Sequence, residues 1–91
     1  MGYKIIYTPS YNKCAARFLK RHPGLTNPYL KTLQLLELNP HHPSLRTHRL
    51  KGSLNELHSV SINLSYRISL ELKIMDKTII PVSVGIHDEV S

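Results

Sequence analysis

From Tyr66 to Ile74 every even-numbered position is apolar or aromatic (Tyr66, Ile68, Leu70, Leu72, Ile74) and every odd one is polar (Arg67, Ser69, Glu71, Lys73). Successive side chains of a strand point to opposite faces, so this run specifies a strand with one buried face and one polar face. After a Met75-Asp76-Lys77 turn, Ile80, Val82, Val84 and Ile86 resume the parity, and Val60, Ile62 and Leu64 show it beforehand. Three antiparallel strands in a meander are expected. A weaker strand is expected over Thr47 to Lys51, and Pro81 marks a point where one edge of the last strand needs no backbone donor.

The first half of the chain has a different period. Tyr3 to Tyr7 is short, β-branched and aromatic, and Thr8-Pro9-Ser10 ends it, which gives a first strand with Ser10 as N-cap of the helix that follows. Tyr11, Cys14, Ala15, Phe18 and Leu19 then recur at helical spacing, with Lys13, Arg17, Lys20 and Arg21 on the other side until Pro23-Gly24. Asn27-Pro28 opens a second helix carrying Leu30, Leu33, Leu36 and Leu38, and Asn39-Pro40 closes it. The linker is short, so the two helices form an antiparallel hairpin packed on one face of the sheet. The expected class is α+β, in the order β-α-α-β-β-β.

Ninety-one residues without a low-complexity stretch make one domain, 1–91. A chain this small builds an open groove more readily than an enclosed cofactor pocket, and no cofactor is expected. Twelve Lys and Arg against six Asp and Glu give a net charge of +6, which favours polyanionic partners. The single cysteine, Cys14, has no partner for an internal disulfide; it lies with Phe18 and reads as a small core residue. No apolar run is long enough to span a membrane and no secretory signal opens the chain, so a cytoplasmic protein without membrane contact is expected.

The polar face of the meander carries the chemistry. If Ile74 opposes Thr78, then Arg67 opposes Gly85 and Ser65 opposes His87, which puts Arg67 and His87 on one face as diagonal neighbours about 7–8 Å apart. Ser61 or Asn63 falls beside Arg67, and Gly85 leaves the centre of this face open. A guanidinium to neutralise a phosphoryl oxygen and an imidazole to move a proton suit metal-independent phosphodiester transfer in RNA, where the ribose 2′-OH is the nucleophile. A structural reading of the same residues is equally simple: Arg67 pairs with Glu71, and His87 is an exposed histidine at a strand end. His48 sits in Arg46-Thr47-His48-Arg49-Leu50-Lys51-Gly52, where the surrounding cations favour a neutral imidazole able to act as a base. His41-His42 with His48 lacks a metal-ligand spacing, so no metal site is expected. His58 shares the apolar parity and reads as a partly buried histidine.

The order strand, helix hairpin, antiparallel strands, together with His48-x-Leu50-Lys51-Gly52, Tyr66-Arg67-Ile68 and Val84-Gly85-x-His87-Asp88-x-Val90, resembles the RelE/ParE superfamily of bacterial type II toxins over nearly the whole chain. The resemblance implies a microbial-RNase-like sheet, a cognate antitoxin that wraps the toxin, and operator DNA contacted only through that antitoxin. For the RelE/YafQ-like branch it implies metal-independent endonucleolytic cleavage of mRNA on the ribosome, leaving a 2′,3′-cyclic phosphate. Arg67 matches the arginine that stabilises the phosphate, His87 the C-terminal proton-transfer position, and His48 the loop histidine of YafQ-like members. Arg46, Arg49 and Lys51, with Ser61, Asn63 and Ser65, are the expected RNA contacts. The chain departs from the pattern in carrying Ser61 and Ser65 where YafQ-like members have a second histidine and an aspartate. It also ends in Ser91 where an aromatic residue is usual, for which reduced activity is expected. The alternatives from other classes are a ParE-like inhibitor that binds DNA gyrase without cutting, and a weakened toxin serving as an antitoxin-bound corepressor.

Overall fold

The computed structural model describes residues 2–50 and 57–86. Lys51, His87 and Ser91 lie outside the described residues. The elements are β1 (Lys4–Ile5), α1 (Pro9–Arg21), α2 (Thr26–Leu38), β2 (His48–Arg49), β3 (Leu57–Ser61), β4 (Tyr66–Lys73) and β5 (Thr78–Ile86), with single 3₁₀ turns at Pro23–Leu25 and Pro43–Leu45. The strands form one sheet in the order β1-β5-β4-β3-β2. β2 to β5 are antiparallel neighbours as expected, but β1 pairs parallel with β5, so the sheet is mixed.

Both helices start elsewhere than the sequence cues indicate. Thr8, not Ser10, caps α1: its Oγ1 accepts the Tyr11 amide at 3.1 Å. This leaves Pro9 at the first helical position, where its missing N–H costs nothing. α2 begins at Thr26 without a side-chain cap on its N-terminus, because the 3₁₀ turn before it runs directly into the helix. The buried stripe of α2 is Tyr29, Thr32, Leu33 and Leu36, whereas Leu30 and Leu38 are exposed. Tyr29, Leu33 and Leu36 join Tyr11, Ala15 and Phe18 of α1, Val60 of β3, Ile68, Leu70 and Leu72 of β4 and Ile79 and Val84 of β5 in one core.

The strand parity holds in β4, where Ile68, Leu70 and Leu72 are at most 1% exposed. It fails in β5. Ser69 pairs with Ser83 and Leu70 with Pro81, so Val82 is left unpaired in a bulge, which reverses the faces on either side of it. Ile79 and Val84 are the buried residues and Val82 is exposed, while Ile86 shares the face of Val84 but lies exposed at the end of the strand. The bulge also sets the register: Lys73, not Ile74, opposes Thr78, while Arg67 still opposes Gly85. The carbonyls of Lys77 and Ile79 accept hydrogen bonds from the amides of Lys4 and Ile6. By strand alternation the Pro81 nitrogen points to the same side, beyond the end of β1, where no donor is called for. Leu64 does not extend β3; it is exposed in the bend at 62–65 between β3 and β4.

At the heart of the helix layer the Tyr11 and Tyr29 hydroxyls meet at 2.7 Å. Burial pushes both phenols above their ordinary range, with the shared hydrogen bond raising Tyr11 further and acting the other way on Tyr29. The unfolded chain releases these protons near pH 10 while the folded chain retains them, so the folded state loses relative stability as pH rises past about 10. Urea midpoints are expected to be level with respect to this pair below that pH and to fall above it. Tyr11→Phe should cost about 1 kcal/mol at neutral pH and flatten the alkaline fall. An alkaline profile identical in both proteins would contradict this assignment.

Candidate active site

Directly opposed residues of antiparallel strands lie on one face, so the register places His48, Ser59, Ser69 and Ser83 in a polar row across β2, β3, β4 and β5. Ser61, Arg67 and Gly85 form the adjacent row. The Arg67 side chain leans out of its own row and lies over β3 toward β2. Its Nε donates to Ser59 Oγ at 2.5 Å, and its Nη2 donates to the carbonyls of Arg46 at 2.9 Å and Ser59 at 3.1 Å. The same Nη2 lies 3.2 Å from His48 Nδ1.

The Arg46 carbonyl is available because Arg46 adopts a left-handed conformation, φ 48°, at the end of the Pro43–Leu45 turn. This reverses the chain and aims the carbonyl at the guanidinium. Arg67 is only 6% exposed, and Ser59, Ser61 and Ser69 are buried with it. The polar face at this point is thus a closed hydrogen-bonded layer, not the open floor expected from alternation. Burial, and next the charge of Arg46, pull the Arg67 guanidinium below its ordinary value, but an arginine remains a cation in proteins. None of its partners among the described residues is a carboxylate. Glu71 sits opposite Leu57 and Ile80 further along β4, so the cross-sheet ion pair considered for Arg67 does not form.

His48 is an exposed member of this group. Its Nδ1 faces the Arg67 donor at 3.2 Å and the Arg46 carbonyl at 3.4 Å. A neutral ring with its proton on Nε2 accepts from Arg67 through Nδ1, whereas a ring carrying a proton on Nδ1 donates to Arg46. Each ring state has a partner, which suits a proton carrier.

The other expected contacts divide. Arg46 is exposed and belongs to the group. Arg49 is exposed too, but it follows His48 in a strand and therefore projects from the opposite face. Ser61, Asn63 and Ser65 hold the β3–β4 bend together: Ser61 Oγ donates to the Asn63 carbonyl at 2.7 Å, and Asn63 Oδ1 accepts the amides of Ser65 at 2.8 Å and Tyr66 at 2.9 Å. Their polar atoms serve the turn. His42 likewise has a local task, its Nδ1 accepting the Ser44 amide at 3.1 Å. Among the described residues no three His, Cys, Asp or Glu side chains gather as a metal site would require. No helix among them is long and apolar enough to cross a membrane. Cys14 borders the core, half-buried, with Sγ 3.7 Å from the Val84 carbonyl.

Sequence reasoning did not find the Arg46 carbonyl, since a backbone acceptor leaves no residue-type signal. It also missed a ring cluster on the other face of β4. There Tyr66 stands 4.8 Å from His22 and 5.3 Å from Phe18, centroid to centroid. The wide spacing of residues 18, 22 and 66 hides that cluster in the sequence.

No protein-family model and no curated protein matches the sequence. Solved structures do resemble its fold. The Escherichia coli DinJ-YafQ toxin-antitoxin complex contains a chain that is 22% identical, with a TM-score of 0.78, covering 99% of this chain and 98% of that one. The archaeal RelE-RelB complex from Pyrococcus horikoshii gives 18% identity and a TM-score of 0.71 over 94% and 96%. A YoeB/ParE toxin from Agrobacterium tumefaciens gives 15% and 0.72 over 92% and 98%. Each match runs over more than 90% of both chains, and the chain shares the fold of these YafQ, RelE and YoeB/ParE toxins.

Proposed function

We propose that the chain is the toxin of a type II toxin-antitoxin pair and acts as a metal-independent, ribosome-dependent mRNA endonuclease. The observation that carries the reading is an exposed imidazole, His48, held against a buried guanidinium, Arg67, whose Nε and Nη2 are hydrogen-bonded. In the proposed reaction the ribose 2′-oxygen attacks the adjacent phosphorus, the 2′-O–P bond forms and the bond to the 5′-oxygen breaks. In the neutral tautomer whose proton sits on Nδ1, directed at the Arg46 carbonyl, His48 Nε2 is free to take the 2′-OH proton, and His87 is assigned the proton delivered to the departing 5′-oxygen. The products are a 2′,3′-cyclic phosphate and a 5′-hydroxyl.

Arg67 supplies fixed positive charge beneath the phosphate and holds the Arg46 carbonyl toward which His48 Nδ1–H points. Its charge acts from a partly dehydrated site, where it is screened less than a surface cation would be. Arg46 meets the RNA backbone from the loop side, Arg49 is assigned a phosphate outside this group, and Lys51 is assigned a further RNA contact. The partner is a cognate antitoxin, as in the DinJ-YafQ and RelE-RelB complexes that share the fold.

Ribosomes programmed with a short mRNA provide the test. The protein should cut within the exposed codon and leave a cyclic phosphate end, and His48→Ala should slow single-turnover cleavage by about 10²–10⁴-fold, the usual span for a general acid or base. Intact mRNA after incubation with the unaltered protein rejects the reading. Inhibition of gyrase supercoiling under the same conditions would replace it with the ParE-like alternative.

A further inference from the structure

Between the second half of α1 and the ends of β4 and β5 lies a groove of about 440 Å³, lined by Arg17, Phe18, Arg21, His22, Tyr66 and Gly85 among others. It lies on the helix-covered side of β4, behind the strand that carries Arg67. Its wall is a three-ring cluster: His22 packs on Tyr66 at 4.8 Å with a 50° tilt and on Phe18 at 5.0 Å with 46°, and Phe18 meets Tyr66 edge-on at 5.3 Å. Phe18 is buried, whereas His22 and Tyr66 remain partly accessible. Arg17 and Arg21 are exposed on the rim, one helical turn apart and about 6 Å along the axis.

The rim continues as a charged track. The outer face of α1 carries Lys13, Arg17, Lys20 and Arg21, and the helix PSYNKCAARFLKR contains no acidic residue. Lys20 and Arg21 also complement the C-terminal end of the helix dipole, which explains their presence in the last turn but not Lys13 and Arg17 before it. Aromatic faces beside a row of cations are how proteins hold single-stranded nucleic acid: bases stack on the rings and phosphates follow the charges. A peptide of Asp and Glu alone would use the cations but offers no aromatic ring to stack on His22 and Tyr66.

We infer that this groove is a second RNA subsite, in which one unstacked base of the substrate strand rests against His22 and Tyr66 while its flanking phosphates run over Arg17, Arg21 and the outer face of α1. The inference deepens the nuclease reading and rests on it for the identity of the strand. The site lies across the sheet from Arg67, so an RNA engaged at both places bends around the end of β4. Such a subsite contributes affinity and sequence preference at a nucleotide away from the cut and takes no part in proton transfer.

The test uses a single-stranded, 2′-O-methylated oligonucleotide, which cannot be cleaved, carrying one 2-aminopurine. Stacking in the groove should quench the fluorophore. His22→Ala should relieve the quench and weaken binding about tenfold, within the range for one lost base–ring stack. His22→Phe, which keeps a flat ring, should restore both, and Arg21→Ala should lower the salt slope by about 0.7. Equal affinity and quenching in the unaltered, His22→Ala and Arg21→Ala proteins would overturn the subsite, as would equally effective displacement of the oligonucleotide by a polyglutamate of matched charge. Quenching without cleavage on ribosomes would remove the nuclease reading and leave the groove standing, and cleavage without quenching would do the reverse.

Discussion

Arg67→Ala should lower mRNA cleavage by about 10²–10³-fold, the effect of removing one fixed electrostatic group from a transition state. It should also destabilise the fold by about 1–3 kcal/mol, because Ser59 Oγ and the Arg46 carbonyl each lose the donor that satisfies them in a buried layer. Arg67→Lys separates the two contributions. A lysine keeps the positive charge, but a single ammonium on a flexible stem cannot reproduce the fork that reaches Ser59, Arg46 and His48 together. If position as well as charge matters, Arg67→Lys recovers part of the stability and little of the activity. Urea unfolding and single-turnover cleavage on the same preparations check both. Full activity in Arg67→Lys would mean that charge alone suffices, and unchanged activity in Arg67→Ala would remove this residue from the mechanism.

The largest effect on stability is expected at the centre of the sheet. Ile68 is fully buried between Val60 of β3 and Val84 of β5. Truncating such a side chain removes its transfer free energy and leaves a cavity that the surrounding strands cannot collapse, so Ile68→Ala should cost about 3–4 kcal/mol. Domains of this size have about 5–14 kcal/mol in total, and the loss would be a large share of that. Val82→Ala is the control: an apolar residue in the neighbouring strand, but 45% exposed in the bulge, for which a change within about 0.5 kcal/mol is expected. Denaturant midpoints at constant slope measure both. Equal losses at the two positions would mean that the bulge does not set the facing of β5 as described.

These two positions also show how far the sequence could be read. β4 was legible because its alternation is uninterrupted and Ile68, Leu70 and Leu72 of its apolar face are buried. In β5 the same alternation holds at Val84 but misleads before it, since Ile80 and Val82 look like core residues until the bulge at Val82 puts Ile79 on the buried face instead. A bulge is a backbone event, and nothing in Pro81-Val82-Ser83 fixes it without the partner strand. The cap of α1 was misplaced by two residues because Ser10 and Thr8 are both good caps, and only Pro9 at the first helical position decides between them. In the site, strand parity put Arg67 on the polar face but could not say which way a long side chain would lean. It turns toward β2 because Ser59 and the left-handed Arg46 supply acceptors there. The expected Arg67–His87 pairing falls outside the described residues, whereas the Arg67–His48 pairing was not anticipated from spacing.

The parallel contact of β1 with β5 joins Lys4 to Thr78 and Ile5 to Ile79, across most of the chain length. Its closure entropy is among the largest in the molecule, while β3, β4 and β5 associate through connections of only a few residues. The meander can therefore assemble early from local pairings, and the N-terminal strand docks last, as a clasp that draws the helix hairpin onto a sheet already formed. A clasp of this kind slows the opening of the finished molecule more than it hastens its formation. Resistance to unfolding, and hence the lifetime of the native state, then depends on a two-residue strand far in sequence from the site.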